Sequence, residues 1–151
     1  MSKQTGKPIV IASDHAGLSL KAEIQKNLTQ WPWLDLGPLN SDRVDYTDFA
    51  QLLGHKITDG EADFGVLICG SGIGMSIAAN KIAGIRAANV ENPVAARLSR
   101  EHNDANVLCL GSRFIGVEYR IEMTQVWLST SFSQEQRHIL RVKKIRLLEK
   151  R

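Results

Sequence analysis

The sequence predicts a three-layer α/β sandwich of Rossmann-like type: a five-stranded parallel sheet with helices on both faces and an amphipathic helix at the carboxyl end. Three observations carry this. The short apolar runs, such as Ile9-Val10-Ile11-Ala12 and Gly65-Val66-Leu67-Ile68-Cys69, are continuous rather than alternating, as in strands buried on both faces. Segments with apolar residues three and four apart lie between them. No internal repeat, linker or low-complexity tract interrupts the alternation.

The first strand is expected within Pro8 to Ser13, ending in Asp14-His15-Ala16-Gly17. Ala16, Leu20, Ile24 and Leu28 recur every four residues, so a helix should run from about Ala16 to Gln30, stopped by Pro32. Trp33 to Leu36 reads as the second strand, followed by a polar loop from Gly37 to Asp45 and a helix from Tyr46 to about Asp59. Within that helix His55 reads as an ordinary surface or core histidine rather than a catalytic one. The third strand breaks into a glycine-rich loop and restarts as a helix continuing to Lys81, and Ile85 to Val90 gives the fourth strand. Asn92-Pro93 opens a helix ending at Arg100 to Asp104. Asn106 to Leu110 is the fifth strand, with Cys109 buried in it as a small hydrophobe, and Val117 to Leu128 another helix. Ser133-Gln-Glu-Gln136 should cap the last helix.

A chain of 151 residues, 43% apolar and 23% charged, can bury a core without disulfides or metal, and a single domain covering 1–151 is expected. No apolar stretch approaches membrane-spanning length and the amino terminus lacks a signal-peptide pattern, so a cytoplasmic location is expected. Cys69 and Cys109 have neither framework nor metal spacing. The net charge of +3 conceals a basic end, since Arg137 to Arg151 holds seven Lys or Arg against Glu149 alone. Those charges alternate with Ile139, Leu140, Val142, Ile145, Leu147 and Leu148, which indicates a packed amphipathic helix rather than a nucleic-acid-binding tail.

The stretch Phe64 to Met75 organises the rest. Its glycines at 70, 72 and 74 are out of register for a dinucleotide fingerprint, and no Gly-Lys-Ser/Thr follows for a Walker loop. What remains is a nest of N–H donors with the Cys69 thiol on its rim, a setting that favours a thiolate and stabilises nearby oxyanions. Chemistry on an anionic small molecule is the expectation. Asp14 reads either as a helix N-cap or as a site residue. Arg137 and Arg141, four apart on one helix face, suit a phosphate, or else form a solvated basic surface.

Asp14-His15-Ala-Gly, Asp45-Tyr46, Ile-Cys69-Gly-Ser-Gly-Ile-Gly, Ala-Ala-Asn-Lys81, Arg100-Glu-His102-Asn103-Asp-Ala-Asn106, Gly-Ser-Arg113 and Arg137-His-Ile-Leu-Arg141 occur in one order. Together they resemble the B-type ribose-5-phosphate isomerases, which group with the galactose-6-phosphate isomerases of lactose breakdown. The resemblance implies an aldose-ketose isomerase acting through a cis-enediolate, with Cys69 as base, His102 opening the furanose ring and Ser71, at a position where relatives carry Thr or Ser, as a further catalytic residue. It implies substrate contacts from Asp14, His15, Tyr46, the loop Gly70, Ser71, Gly72, Ile73 and Gly74, and Asn103, with Arg113, Arg137 and Arg141 on the phosphate. Where some members use a glutamate as base, Met75 stands here. Thr47 replaces the proline that commonly follows the tyrosine, and Glu135-Gln136 replaces a Gly-Gly pair.

Such a reaction needs a base and oxyanion stabilisation but no redox cofactor, and no metal site is expected. The expected partners are a small sugar phosphate and a second copy of the chain, in a homodimer or a dimer of dimers. Topology points the same way. Cys69 ends the third strand while His102 precedes the fifth, so about 17 Å of strand and about 10 Å for two strand spacings would separate them within one chain. The alternatives are a hexose 6-phosphate isomerase (allose or galactose), a non-catalytic sugar-phosphate sensor, and a flavodoxin-like nucleotide-binding domain.

Overall fold

The computed structural model describes residues 6–149. Five parallel strands, β1 (Ile9–Ser13), β2 (Trp33–Asp35), β3 (Gly65–Cys69), β4 (Ala87–Asn89) and β5 (Val107–Gly111), lie in the order β2-β1-β3-β5-β4. Six helices accompany them: α1 (Leu18–Asn27), α2 (Tyr46–Thr58), α3 (Ile73–Ala79), α4 (Pro93–Asn103), α5 (Val117–Ser129) and α6 (Gln136–Leu147). All five expected strands are present. The order reverses direction between β1 and β3, which opens the crevice at the carboxyl ends where ligands of such sheets bind.

Both faces of β1, β3 and β5 are buried, which explains their continuous apolar sequence. Ile9, Ile11, Val66, Ile68, Leu108 and Leu110 face a core shared with Leu20, Ile24, Met123 and Trp127. Val10, Ala12, Leu67, Cys69, Val107 and Cys109 face the other, with Ala50, Leu53, Met75 and Ala79. Cys109 is fully buried there as expected, and burial pushes its thiol pKa upward.

Several boundaries differ from the sequence reading. The first helix opens as a 3₁₀ turn, His15–Gly17, because the Asp14 carboxylate accepts from the N–H groups of Ala16 and Gly17 at 2.9 and 3.0 Å; it ends at Asn27 rather than Gln30. The helix after the glycine loop stops at Ala79, where Asn80 turns away to bond the backbone of Ala87 through both its carbonyl and its amide, each within 2.9 Å. The last helix is capped at Glu135 and not Ser133, because Gln134 takes a left-handed φ of 60° that breaks the expected capping turn. Of the six apolar residues expected to pack α6, only Val142 is buried; Leu140, Leu147 and Leu148 are among those left exposed.

Buried cations that sequence reading did not foresee pin the loops at both ends of the sheet. Arg100, 4% exposed, spans Asp104 at 3.0 Å and the Ala105 carbonyl, with Phe64 beneath its guanidinium at 4.7 Å. Lys21 donates at 2.7 Å to both Asp35 and the Pro38 carbonyl, and Asp35 in turn accepts from the Gly37 N–H at 2.8 Å. The start of the Gly37 to Asp45 loop is thereby tied to α1. Lys21→Met should destabilise the protein by about 3 kcal/mol in urea unfolding, because the Asp35 carboxylate and a carbonyl lose a buried cation. A loss below about 1 kcal/mol would show that water replaces the ammonium at no cost.

Candidate active site

A pocket of about 490 Å³ opens at the carboxyl ends of β1, β3 and β5, lined by Asp14, His15, Arg43, Tyr46, Cys69, Gly70, Ser71, Ile73, Gly74, Arg113 and Phe114. Three successive strand ends supply it. Asp14 and His15 follow β1, the glycine loop follows β3, and Arg113 follows β5, held by bonds from Ser112 and Arg113 N–H to the Cys69 and Gly70 carbonyls at 2.9 and 3.1 Å. Tyr46 enters from the first turn of α2, N-capped by Asp45. Thr47 donates both its N–H, at 3.1 Å, and its hydroxyl, at 2.9 Å, to the Asp45 carboxylate, holding that carboxyl below its ordinary pKa. A proline at 47 would have no N–H to give, so threonine strengthens this cap.

Cys69 sits at the floor, 4% exposed, and its Sγ accepts from the Gly72 N–H at 3.1 Å. The bond needs the left-handed φ of 77° at Gly72, and a Cβ there would lie 2.4 Å from Asn89 Oδ1 and 2.9 Å from the Leu110 carbonyl carbon. Ser71 Oγ accepts from the Ile73 N–H at 3.2 Å. Two of the loop's expected anion donors are thus engaged within the protein, leaving those of Gly70, Ser71 and Gly74. Arg113 lies over Gly70, and Tyr46 lies so close over Gly74 that a Cβ would meet its ring at 2.6 Å. Met75 is fully buried in the core beneath the loop and lends nothing to the pocket.

Asp14 turns out to be an N-cap and a pocket residue at once, so the two readings were not exclusive. His15 accepts from the Val44 N–H at 3.5 Å, which links the strand end to the polar loop. Arg43 and Phe114 were missed. Both stand on exposed loops beside residues that were recognised, and Arg43 carried no signal beyond its charge.

His102, Asn103, Arg137 and Arg141 do not join this pocket. His102 occupies the last turn of α4, which precedes β5 and so lies toward the amino edge of the sheet, whereas Cys69 pairs with Gly111 at the carboxyl edge. Because β3 and β5 are direct neighbours, one strand spacing separates them and not the two expected; the length of the strand remains. The His102 ring stacks on His138 of α6, with centroids 4.2 Å apart and planes 10° from parallel. Arg137 and Arg141 flank His138 in sequence and are exposed, Arg137 donating to Glu135 at 2.8 Å. Asn103 lines a separate cavity of about 710 Å³ with Lys81, Arg86, Ile145 and Leu148. His55 lies exposed on α2, the surface alternative of the two expected for it. Among the described residues no group of three or more His, Cys, Asp or Glu side chains is placed to hold a metal ion, and no helix is long and apolar enough to cross a membrane.

The fold and the thiol beside an N–H-lined loop define a protein built for small anionic ligands, and comparison narrows that class. Residues 9–145 match the family described as Ribose/Galactose Isomerase, and the chain belongs to that family. It is 43% identical over 147 residues to ribose-5-phosphate isomerase B of Escherichia coli, covering 96% of this chain and 98% of that one. Among solved structures, ribose-5-phosphate isomerase B of Clostridium thermocellum superposes with a TM-score of 0.91 at 45% identity, covering 95% and 97% of the two chains. The ribose-5-phosphate isomerase B of Mycoplasma genitalium, solved with bound ribulose-5-phosphate, gives 0.89 at 44% identity, covering 95% and 96%.

The glycine loop yields a stability test. Gly60 has nearly the same φ, 79°, but nothing within 4 Å of an added Cβ. Gly60→Ala should cost about 1–2 kcal/mol from the left-handed backbone alone. Gly72→Ala should cost a further 1–3 kcal/mol or so, from overpacking against Asn89 and β5. Equal losses in urea unfolding would mean that the loop relaxes freely.

Proposed function

We propose that the protein interconverts ribose 5-phosphate and ribulose 5-phosphate, with the pocket of one chain completed by His102, Asn103, Arg137 and Arg141 of a second. The observation that carries the reading is that Cys69, beside a glycine loop whose Gly72 N–H bonds its sulfur, lines one pocket with Asp14, His15 and Ser71 in a chain of this family. The named activity of the close relatives supports the substrate.

In the proposed reaction His102, as imidazolium, gives a proton to the ring oxygen O4 as the C1–O4 bond breaks. The C1 hydroxyl proton leaves to water and an open-chain aldehyde forms. The Cys69 thiolate then removes the C2 proton, and the electron pair forms the C1–C2 double bond while charge collects on O1. Uncommitted loop N–H groups stabilise that oxyanion. The thiol returns its proton to C1, and the Ser71 hydroxyl relays the O2 proton to O1, leaving the C2 ketone. The arginines hold the phosphate away from the reacting carbons, so their binding energy serves to position C1 and C2.

The shared site is supported by the separation of the two groups along a strand of about 17 Å and by apolar side chains left uncovered in the single chain. Ile73 and Ile77 on α3 and Leu140 and Leu147 on α6 are each about half or more exposed, surface that a two-fold partner would cover. Each chain would supply its Cys69 loop to one site and its α4 and α6 ends to the other.

Cys69→Ala should lower kcat on ribose 5-phosphate at least about 1,000-fold with substrate binding within several-fold, since the thiolate acts in the transition state. Retained turnover would move the base elsewhere. A coupled assay with allose 6-phosphate and galactose 6-phosphate beside ribose 5-phosphate decides the substrate: a higher kcat/KM on either hexose would replace the pentose assignment.

Mixing inactive Cys69→Ala with inactive His102→Asn under subunit exchange should restore about a quarter of wild-type activity, because half the dimers are mixed and each holds one intact site. Mixed dimers that stay inactive would place His102 in its own chain's site. Arg137→Ala and Arg141→Ala should each weaken substrate binding by about 1.5–3 kcal/mol, with lysine rescuing only in part. Michaelis constants unchanged in both would return the pair to a solvated surface.

A further inference from the structure

His138 has no part in the reaction as proposed, yet its placement is unusual. It is 2% exposed, and both ring nitrogens are buried without a hydrogen-bond partner among the described residues. Buried polar atoms are nearly always paired, so an imidazole here sacrifices two hydrogen bonds that a hydrocarbon would not need. Among the described residues its ring stacks on the face of His102, 4.2 Å away and 10° from parallel.

The charges around the ring favour its neutral form. Burial contributes most, followed by His102 across the stack and then Arg137; Glu135 opposes them and Arg141 adds to them. All but His102 belong to α6 or its cap, and His102 comes from α4, the helix packed against it. A neutral, flat ring can stay stacked on His102 in either protonation state, because a cation over an aromatic face is attracted to it.

We infer that His138 is the positioning residue of His102, its buried face fixing the plane in which His102 presents its nitrogens to the sugar ring. The contact lies within one chain, so it travels with His102 to whichever pocket that chain completes. The inference rests on reading His102 as the ring-opening group.

The test compares two reactions of the full-length enzyme. Turnover of ribose 5-phosphate needs ring opening, whereas exchange of a C1 proton of ribulose 5-phosphate with deuterated solvent needs only the Cys69 step, because that ketose is open-chain. His138→Ala should lower kcat on ribose 5-phosphate about 10- to 100-fold, by misplacing an acid/base group, while KM and C1 exchange stay within about threefold. His138→Phe should restore kcat to within about fivefold, since it keeps a neutral stacking face and the lost nitrogens have no partners.

His138→Ala with unchanged kcat overturns the inference. So does His138→Phe that exchanges the C1 proton normally but turns over ribose 5-phosphate no better than the alanine variant, because the nitrogens would then matter and not the face. Equal loss of both reactions in the two variants, with weakened urea stability, overturns it in favour of a purely structural role. His102→Asn measured alongside separates the underlying reading: if it keeps ribose 5-phosphate turnover, the assignment of His102 falls and this inference with it. If it loses turnover while His138→Ala does not, only this inference falls.

Discussion

The left-handed turn at Gly72 is the constraint on which the rest of the pocket depends. It reverses the chain between β3 and α3 within three residues and turns one N–H onto the Cys69 sulfur. It can do so only where no Cβ intervenes, because Asn89 and the end of β5 press against the loop from behind. Neighbouring parts rest on that compact turn. Arg113 closes over Gly70, Tyr46 over Gly74, and the N–H groups of residues 112 and 113 bond carbonyls of the same loop. Strand pairing, loop and overlying side chains form one connected assembly around the Cys69 sulfur.

Parallel topology then imposes a division. Every strand in such a sheet runs the same way, so residues that follow strands collect at one edge and residues that precede them at the other. Asp14, Cys69 and Arg113 all follow strands. His102 precedes one, and α6 brings Arg137 and Arg141 to its neighbourhood through the His102–His138 stack. The sheet thus sorts the candidate groups to its two opposite edges.

The strands and the pocket were legible because each depends on local sequence: β-branched runs, glycines at 70, 72 and 74, and polar residues placed just beyond strand ends. What could not be read were relations between distant segments. Nothing local to Arg100 or Lys21 shows that each is a buried cation tied to a remote carbonyl, and a basic residue in a helix reads as solvated by default. The order of β3 and β5 as neighbours was equally hidden, since chain order places β4 between them. The cap of α6 was misread because Ser133 has the right chemistry but Gln134 has a backbone conformation no pattern announces.

Asn80 has a consequence for how copies of the chain can meet. Ala87 directs its N–H and carbonyl away from β5, toward the open side of the sheet, and the Asn80 side chain takes both. The side-chain amide acts as a one-residue sixth strand that cannot itself be extended. Main-chain addition through Ala87 is therefore blocked where a short edge strand would otherwise offer it. A second chain meeting this part of the border must do so through side chains rather than backbone pairing.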